Sequence, residues 1–181
     1  MGILDHQLLL RSFTSDVMKE NVERLEIFNI YHCLRKSSFS SAIKAQEKLG
    51  KIPSSFLEWM KYCDGGLLFD TVMLSTKEHD TTLDLDFDTY EELNSDEAKE
   101  NFALPEGFVV FAFRNYGDPL CFNTKENDGK VYLWNVENKE FDDIWDSFED
   151  WMTEEIDDAI KLIAEDALEP LGVKIGGEDD E

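Results

Sequence analysis

Hydrophobic residues recur first at helical spacing and then at strand spacing along this chain, and the change falls near Asp64-Gly65-Gly66. Between residues 16 and 34, Val17, Met18, Val22, Leu25, Phe28, Tyr31 and Cys33 return every three to four positions, which predicts an amphipathic helix with Asp16 as its cap. Ser37-Ser38-Phe39-Ser40-Ser41 interrupts that pattern, and a second helix follows from about Ser41 to Leu49, ending at Gly50. A third begins at Ile52-Pro53-Ser54, because proline is tolerated in a first helical turn, and gathers Phe56, Leu57, Met60 and Cys63 on one face. Asp64-Gly65-Gly66 stops it.

Beyond that break the pattern predicts strands. Leu67 to Leu74 is apolar and partly β-branched, and Leu83, Leu85 and Phe87 alternate with Asp84, Asp86 and Asp88, as a strand with one dry and one wet face does. Residues 91–101 are polar and acidic and read as a loop or a short exposed helix. Phe108-Val109-Val110-Phe111-Ala112-Phe113 is apolar on both alternations, which predicts a central strand covered on both sides. A turn at Asn115 to Pro119 leads to a returning strand, Leu120-Cys121-Phe122. The hairpin chemistry of Asn127-Asp128-Gly129 then leads to a strand from Val131 to Val136. Ser147 and Asp150 resemble a capping box, after which Phe148, Trp151, Met152, Ile156, Ile160 and Ile163 trace one apolar helical stripe. Glu149, Glu154, Glu155, Asp157, Asp158, Glu165 and Asp166 form its solvated face, and Pro170 and Gly172 end the helix. The class is α+β. Trp59, Trp134, Trp145 and Trp151 read as packing residues rather than a ligand cage.

Charge changes the picture. The 181 residues hold 41 Asp and Glu against 17 Lys and Arg, a net charge of -24, and the excess is uneven. Residues 1–50 carry 6 acids and 7 bases, 51–136 carry 17 and 7, and 137–181 carry 18 and 3. Nucleic acid and anionic lipid are repelled by such a surface, and a basic partner is attracted. Three scattered cysteines, Cys33, Cys63 and Cys121, suit reduced thiols and a cytoplasmic setting rather than a disulfide framework. The segment from Met1 to Leu10 has no basic region before its short apolar run, and His6 stands where a myristoylation signal has Ser or Thr, so no leader or lipid anchor is expected.

The search for chemistry is mostly negative. His6, His32 and His79 have no second His or Cys at metal-ligand spacing, so no metal and no cofactor are expected. Asp84, Asp86 and Asp88 open like a calcium loop, but Thr89 stands where the loop needs Gly and Ser95 where it needs a bidentate Glu. His32-Cys33 as a base and thiol pair is disfavoured, because neighbours on a helix point apart. Gly65-Gly66 is too short to cradle a phosphate.

The order Gly50-Lys51-Ile52-Pro53, Phe56-Leu57, Asp64-Gly65-Gly66-Leu67, Leu104-Pro105-Glu106-Gly107-Phe108, Tyr116-Gly117-Asp118, Gly129-Lys130-Val131-Tyr132-Leu133-Trp134 and Ser147-Phe148-Glu149-Asp150-Trp151 resembles the SUKH superfamily, the Smi/Knr-type proteins, over about Ser41 to Ala164. The resemblance implies helices followed by a twisted, mainly antiparallel sheet and closed by a C-terminal helix. It divides the chain into an N-terminal helical extension (1–40), the SUKH-like domain (41–168) and an acidic flexible tail (169–181). Gly65, Gly66, Gly117 and Trp134 then carry structural roles, and no shared catalytic residue is carried over. The function implied is that of an immunity protein, which binds a cognate toxin, often a nuclease, and occludes its basic active site. A regulatory interaction module of cell-wall synthesis and signalling is the alternative, and a carboxylate-dependent hydrolase the weakest. The expected partner surface comprises Asp84, Asp86, Asp88, Glu91 and Glu92, with Tyr90 as an aromatic anchor among them.

Overall fold

The first helix is shorter than its periodicity suggests. In the computed structural model, which describes residues 13–36, 39–77, 79–80, 85–86 and 88–171, α1 runs over Asp16–Ile27. Its cap is Ser15, whose hydroxyl accepts from the Met18 amide at 3.2 Å, and Asp16 sits one position further in. Met18, Asn21, Val22 and Leu25 are buried, while Val17 is exposed. The chain then passes a short 3-10 turn, Asn29–Tyr31, and enters strand β1, His32–Lys36. Tyr31 and Cys33 therefore leave the helical stripe, because β1 gains an antiparallel partner that no local period announces, with Cys33 opposite Leu67 and Leu34 opposite Gly66.

Helix α2, Phe39–Leu49, ends at Gly50 as expected, and α3, Ser54–Tyr62, begins with Pro53 at its cap. The expected break at Asp64-Gly65-Gly66 is instead the body of β2, Cys63–Leu68, which follows α3 directly. Gly66 has φ +131°, and a Cβ there would stand 2.2 Å from the Cys33 carbonyl oxygen, so this glycine serves the close approach of β1. A turn through Phe69 and Asp70 leads to β3, Thr71–Met73, and a two-residue ladder follows, β4 (His79–Asp80) against β5 (Leu85–Asp86). Of the alternating strand expected around residues 83–88, only Leu85 and Asp86 are placed in a strand; residues 83, 84 and 87 lie outside the described residues.

The acidic stretch after residue 90 forms two helices, α4 (Tyr90–Leu93) and α5 (Asp96–Phe102), because Thr89 with Glu92 closes a capping box and Ser95 caps the second. Then come β6 (Phe108–Arg114), β7 (Pro119–Asn123), β8 (Val131–Asn135), β9 (Glu140–Trp145) and α6 (Phe148–Ala164). One sheet of seven strands has the order β1-β2-β3-β6-β7-β8-β9, every neighbouring pair antiparallel. Strand β9 has no signal in the hydrophobic pattern, because Glu140, Asp142, Asp143 and Ile144 are all exposed.

The core lies between one sheet face and helices α3 and α6. Phe111 stacks on Phe122 at 4.3 Å between ring centroids, Phe56 sits 5.1 Å from Phe148, and Trp151 meets Phe111 edge-on at 5.4 Å. Helix α1 packs on α6, where the Asn21 amide donates to the Thr153 hydroxyl at 3.0 Å and Arg24 pairs with Asp157. On the opposite sheet face α5 brings Phe102 to 5.4 Å from Phe113, and the Trp134 indole donates to the Phe102 carbonyl at 2.9 Å. Both faces of β6 are therefore covered, as its unbroken apolar run predicts, and all four tryptophans are buried.

Glu155 departs from the solvated face assigned to it. It lies on the same side of α6 as Trp151, Met152 and Ala159 and is buried. The Thr71 hydroxyl donates to one of its carboxylate oxygens and an Arg114 guanidinium nitrogen to the other, each at 2.6 Å. Burial pushes the Glu155 carboxyl above its usual range, against the pull of Arg114. The helix ends at Ala164, before the expected Pro170, with Asp166 just beyond it at φ +53°.

Candidate functional site

A groove of about 900 Å³ opens where α2, the segment after β3 and the start of α4 converge. Lys44, Glu47 and Lys48 come from the exposed side of α2, Ser75, Thr76 and Lys77 from the middle wall, and Thr89 to Glu92 from the cap and first turn of α4. Two backbone bonds fasten the walls together: the Ser75 amide donates to the Asp88 carbonyl at 2.9 Å and the Tyr90 amide to the Ser75 carbonyl at 3.0 Å.

A buried ion pair lies beneath the middle wall. Arg35 and Asp64, whose side chains are 4% and 2% exposed, meet at 2.8 Å. Asp64 also accepts from the Thr76 amide at 2.8 Å and from its hydroxyl at 2.6 Å. Arg35 bonds the Ser75 hydroxyl and donates to the Lys77 carbonyl at 3.2 Å. Two buried charges with this many partners are compensated, and their effect is to hold residues 75–77 in one shape.

The residues expected at the partner surface take different places. Glu91 and Glu92 line the groove and are exposed, but each has local work. Glu91 pairs with Lys48 at 2.6 Å across the groove, and Glu92 accepts from the Thr89 hydroxyl at 2.7 Å in the capping box. Asp88 is exposed at the rim, Asp86 stands opposite His79 on β5, and Asp84 lies outside the described residues. Tyr90 is a correction. Its ring is 2% exposed, and its hydroxyl points at the Met60 sulfur at 3.1 Å, so it packs into the core instead of presenting an aromatic anchor. That burial also drives its hydroxyl pKa well above the ordinary value.

The lysines of the groove had no signal in the sequence, since no spacing rule connects residues 44–48 with residue 91. Among the described residues the groove brings together three lysines and three glutamates, without a histidine or a cysteine. Its chemistry is that of charge pairing, in which Lys48 and Glu91 can exchange each other for groups of opposite sign on a ligand.

His32 and Cys33 are neighbours on β1 rather than on a helix, and successive strand residues still point to opposite faces. The His32 Nε2 lies 2.9 Å from the Leu25 carbonyl, and burial lowers its pKa below the usual value. Among the described residues no group of three or more His, Cys, Asp or Glu side chains could hold a metal ion, and no helix is long and apolar enough to cross a membrane.

Helices packed on an antiparallel sheet, with a charged groove between α2, the segment after β3 and α4, define an α+β domain. The model of the SMI1 / KNR4 family (SUKH-1) matches residues 41–154, and the chain belongs to that family. No curated protein matches the chain. Strand β1 precedes the matched segment, yet it pairs with β2 as an integral strand of the sheet.

Proposed function

We propose that this protein is an immunity protein that binds and neutralises a cognate polymorphic toxin, a nuclease in the first instance, by covering its basic active site. Family membership over residues 41–154 in a chain of net charge -24 is the observation that carries this reading. A toxin that acts on nucleic acid presents a cationic cleft, and an acidic protein both accelerates encounter with it and competes with its substrate. The contact residues we assign are Asp84, Asp86, Asp88, Glu91 and Glu92, with Tyr90 as a buried support for α4. The mechanism is occlusion, so no residue turns over a substrate.

Co-expression with the product of the neighbouring reading frame tests the function directly: the pair should survive where the neighbour alone is toxic. Stopped-flow association tests the surface. The wild-type rate should fall steeply between about 0.01 M and 0.15 M salt, as the Debye length shrinks from roughly 30 Å to about 8 Å. Changing Asp84, Asp86 and Asp88 to Asn should flatten that dependence. Equal salt slopes would remove these three residues from the interface. A neighbour that is harmless alone, in a genome where this gene stands by cell-wall functions, would favour the regulatory member of the family instead.

A further inference from the structure

We propose that β9 is a docking edge for an extended, basic segment of a partner protein, which would join the sheet as an eighth strand. Strand β9 closes one side of the seven-stranded order, and its only strand partner among the described residues is β8. In an antiparallel ladder alternate residues turn N–H and C=O away from the partner. Among the described residues no backbone hydrogen bond from outside the β8–β9 ladder joins residues 140–145. Such an edge is a template for one more strand unless its side chains forbid it.

The side chains forbid some occupants and admit others. Residues 137–146 contain five acids, with Lys139 as the single base. Asp142 accepts from the Asn135 amide at 2.8 Å and Asp146 pairs with Lys130 at 2.7 Å, whereas Glu140 and Asp143 have no ion-pair partner among the described residues. A second copy of β9 would set these carboxylates against one another in a chain already at -24, so self-pairing is opposed. A strand carrying lysine or arginine meets the opposite field.

Apolar contact is present as well. Ile144 is 53% exposed and stands directly across from Tyr132. Tyr132 lies edge-on to Phe108 at 5.1 Å and 5.2 Å from Phe141, which makes an apolar step at the strand edge on which alternate side chains of an added strand can rest. Register shifts at Asp142, since Phe141 pairs with Trp134 but Asp143 with Leu133. The bulge interrupts the edge at Asp142 and confines an added strand to Asp143–Trp145 beyond it. This surface is separate from the groove, and the proposal stands whether or not the partner is a toxin.

The test uses the full-length, 15N-labelled wild-type protein and a peptide of alternating lysine and valine, in three forms: unmodified, N-methylated at alternate amides, and with glutamate in place of lysine. Binding of the unmodified peptide should shift amide resonances of residues 140–146 and slow their hydrogen exchange. N-methylation keeps the charge but removes the strand hydrogen bonds, and should weaken binding about tenfold or more. The glutamate form should not bind. Asp143→Lys together with Ile144→Lys should weaken the unmodified peptide by a similar factor, and the three peptides decide the matter on wild-type protein should that variant fail to fold. The proposal is overturned if the N-methylated peptide binds as tightly as the unmodified one, if the perturbed resonances centre on Lys44, Lys48 and Glu91, or if the unmodified peptide does not bind.

Discussion

Trp151 is the most informative single site for the packing of this fold. Its side chain is fully buried, 5.4 Å from Phe111 and 5.3 Å from Phe148 between ring centroids. Truncation to alanine removes the indole from its contacts with Phe111 and Phe148 and leaves a cavity in the core, so Trp151→Ala should cost about 3–5 kcal/mol. At roughly 2–4 °C per kcal/mol for a chain of this size, Tm should fall by about 6–20 °C. The indole Nε1 is buried without a hydrogen-bond partner among the described residues. An unmade bond of this kind costs about 1–3 kcal/mol, and Trp151→Phe discards it while keeping an aromatic ring in place. Trp151→Phe should therefore cost only about 1–2 kcal/mol, the lost volume being offset in part by relief of that penalty. Urea unfolding followed by far-UV circular dichroism measures both. If Trp151→Ala costs less than about 1 kcal/mol, the core does not depend on this ring; if Trp151→Phe costs as much as Ala, the indole nitrogen has a partner and the assignment of an unmade bond is wrong.

Gly66→Ala should cost about 3 kcal/mol or more, since its Cβ would meet the Cys33 carbonyl at 2.2 Å, while Gly117→Ala should cost about 1–2 kcal/mol, having unfavourable φ but no atom within 4 Å; chemical denaturation compares them. Arg114→Met leaves Glu155 buried without its cation and should cost about 2–4 kcal/mol at neutral pH, less than a fully buried pair because Arg114 is partly exposed. Lone Glu155 can take up a proton, so this loss should shrink as pH falls toward 4.5, and a loss that stays constant between pH 7 and pH 4.5 would argue against the pair. His32 has a folded pKa below 6.5, so between that value and 6.5 the unfolded chain holds more protons. Its contribution is complete above 6.5 and declines as pH drops through that window, and His32→Gln should flatten this acid limb of a stability-versus-pH curve. Lys48→Ala should change stability by less than about 1 kcal/mol, because the Lys48–Glu91 pair is exposed on both sides; thermal melts at low and high salt check it.

The α+β class, the positions of α2 and α3, the double coverage of β6, the Ser147 cap and the burial of Trp151 are all legible in the sequence. Each depends on period, turn chemistry or capping, which act between residues a few positions apart. Tertiary structure alone decided what depends on distant partners. β1 left a helical pattern because β2 lies beside it, and Gly65-Gly66 became strand because β1 and the Ser75 segment press against their Cα atoms. Glu155 turned inward because Arg114 and Thr71 wait there, and Tyr90 did so because Met60 and the core lie beneath α4. The groove follows the same rule. Its acidic wall was visible as a run of Asp and Glu, but Lys44, Lys48 and Lys77 reach that wall only through the packing of α2 and the hold of Arg35 and Asp64 on residues 75–77. Local sequence sets what each segment can form, and the pairing of segments far apart in the chain sets which charged and aromatic groups end in water and which end in the core.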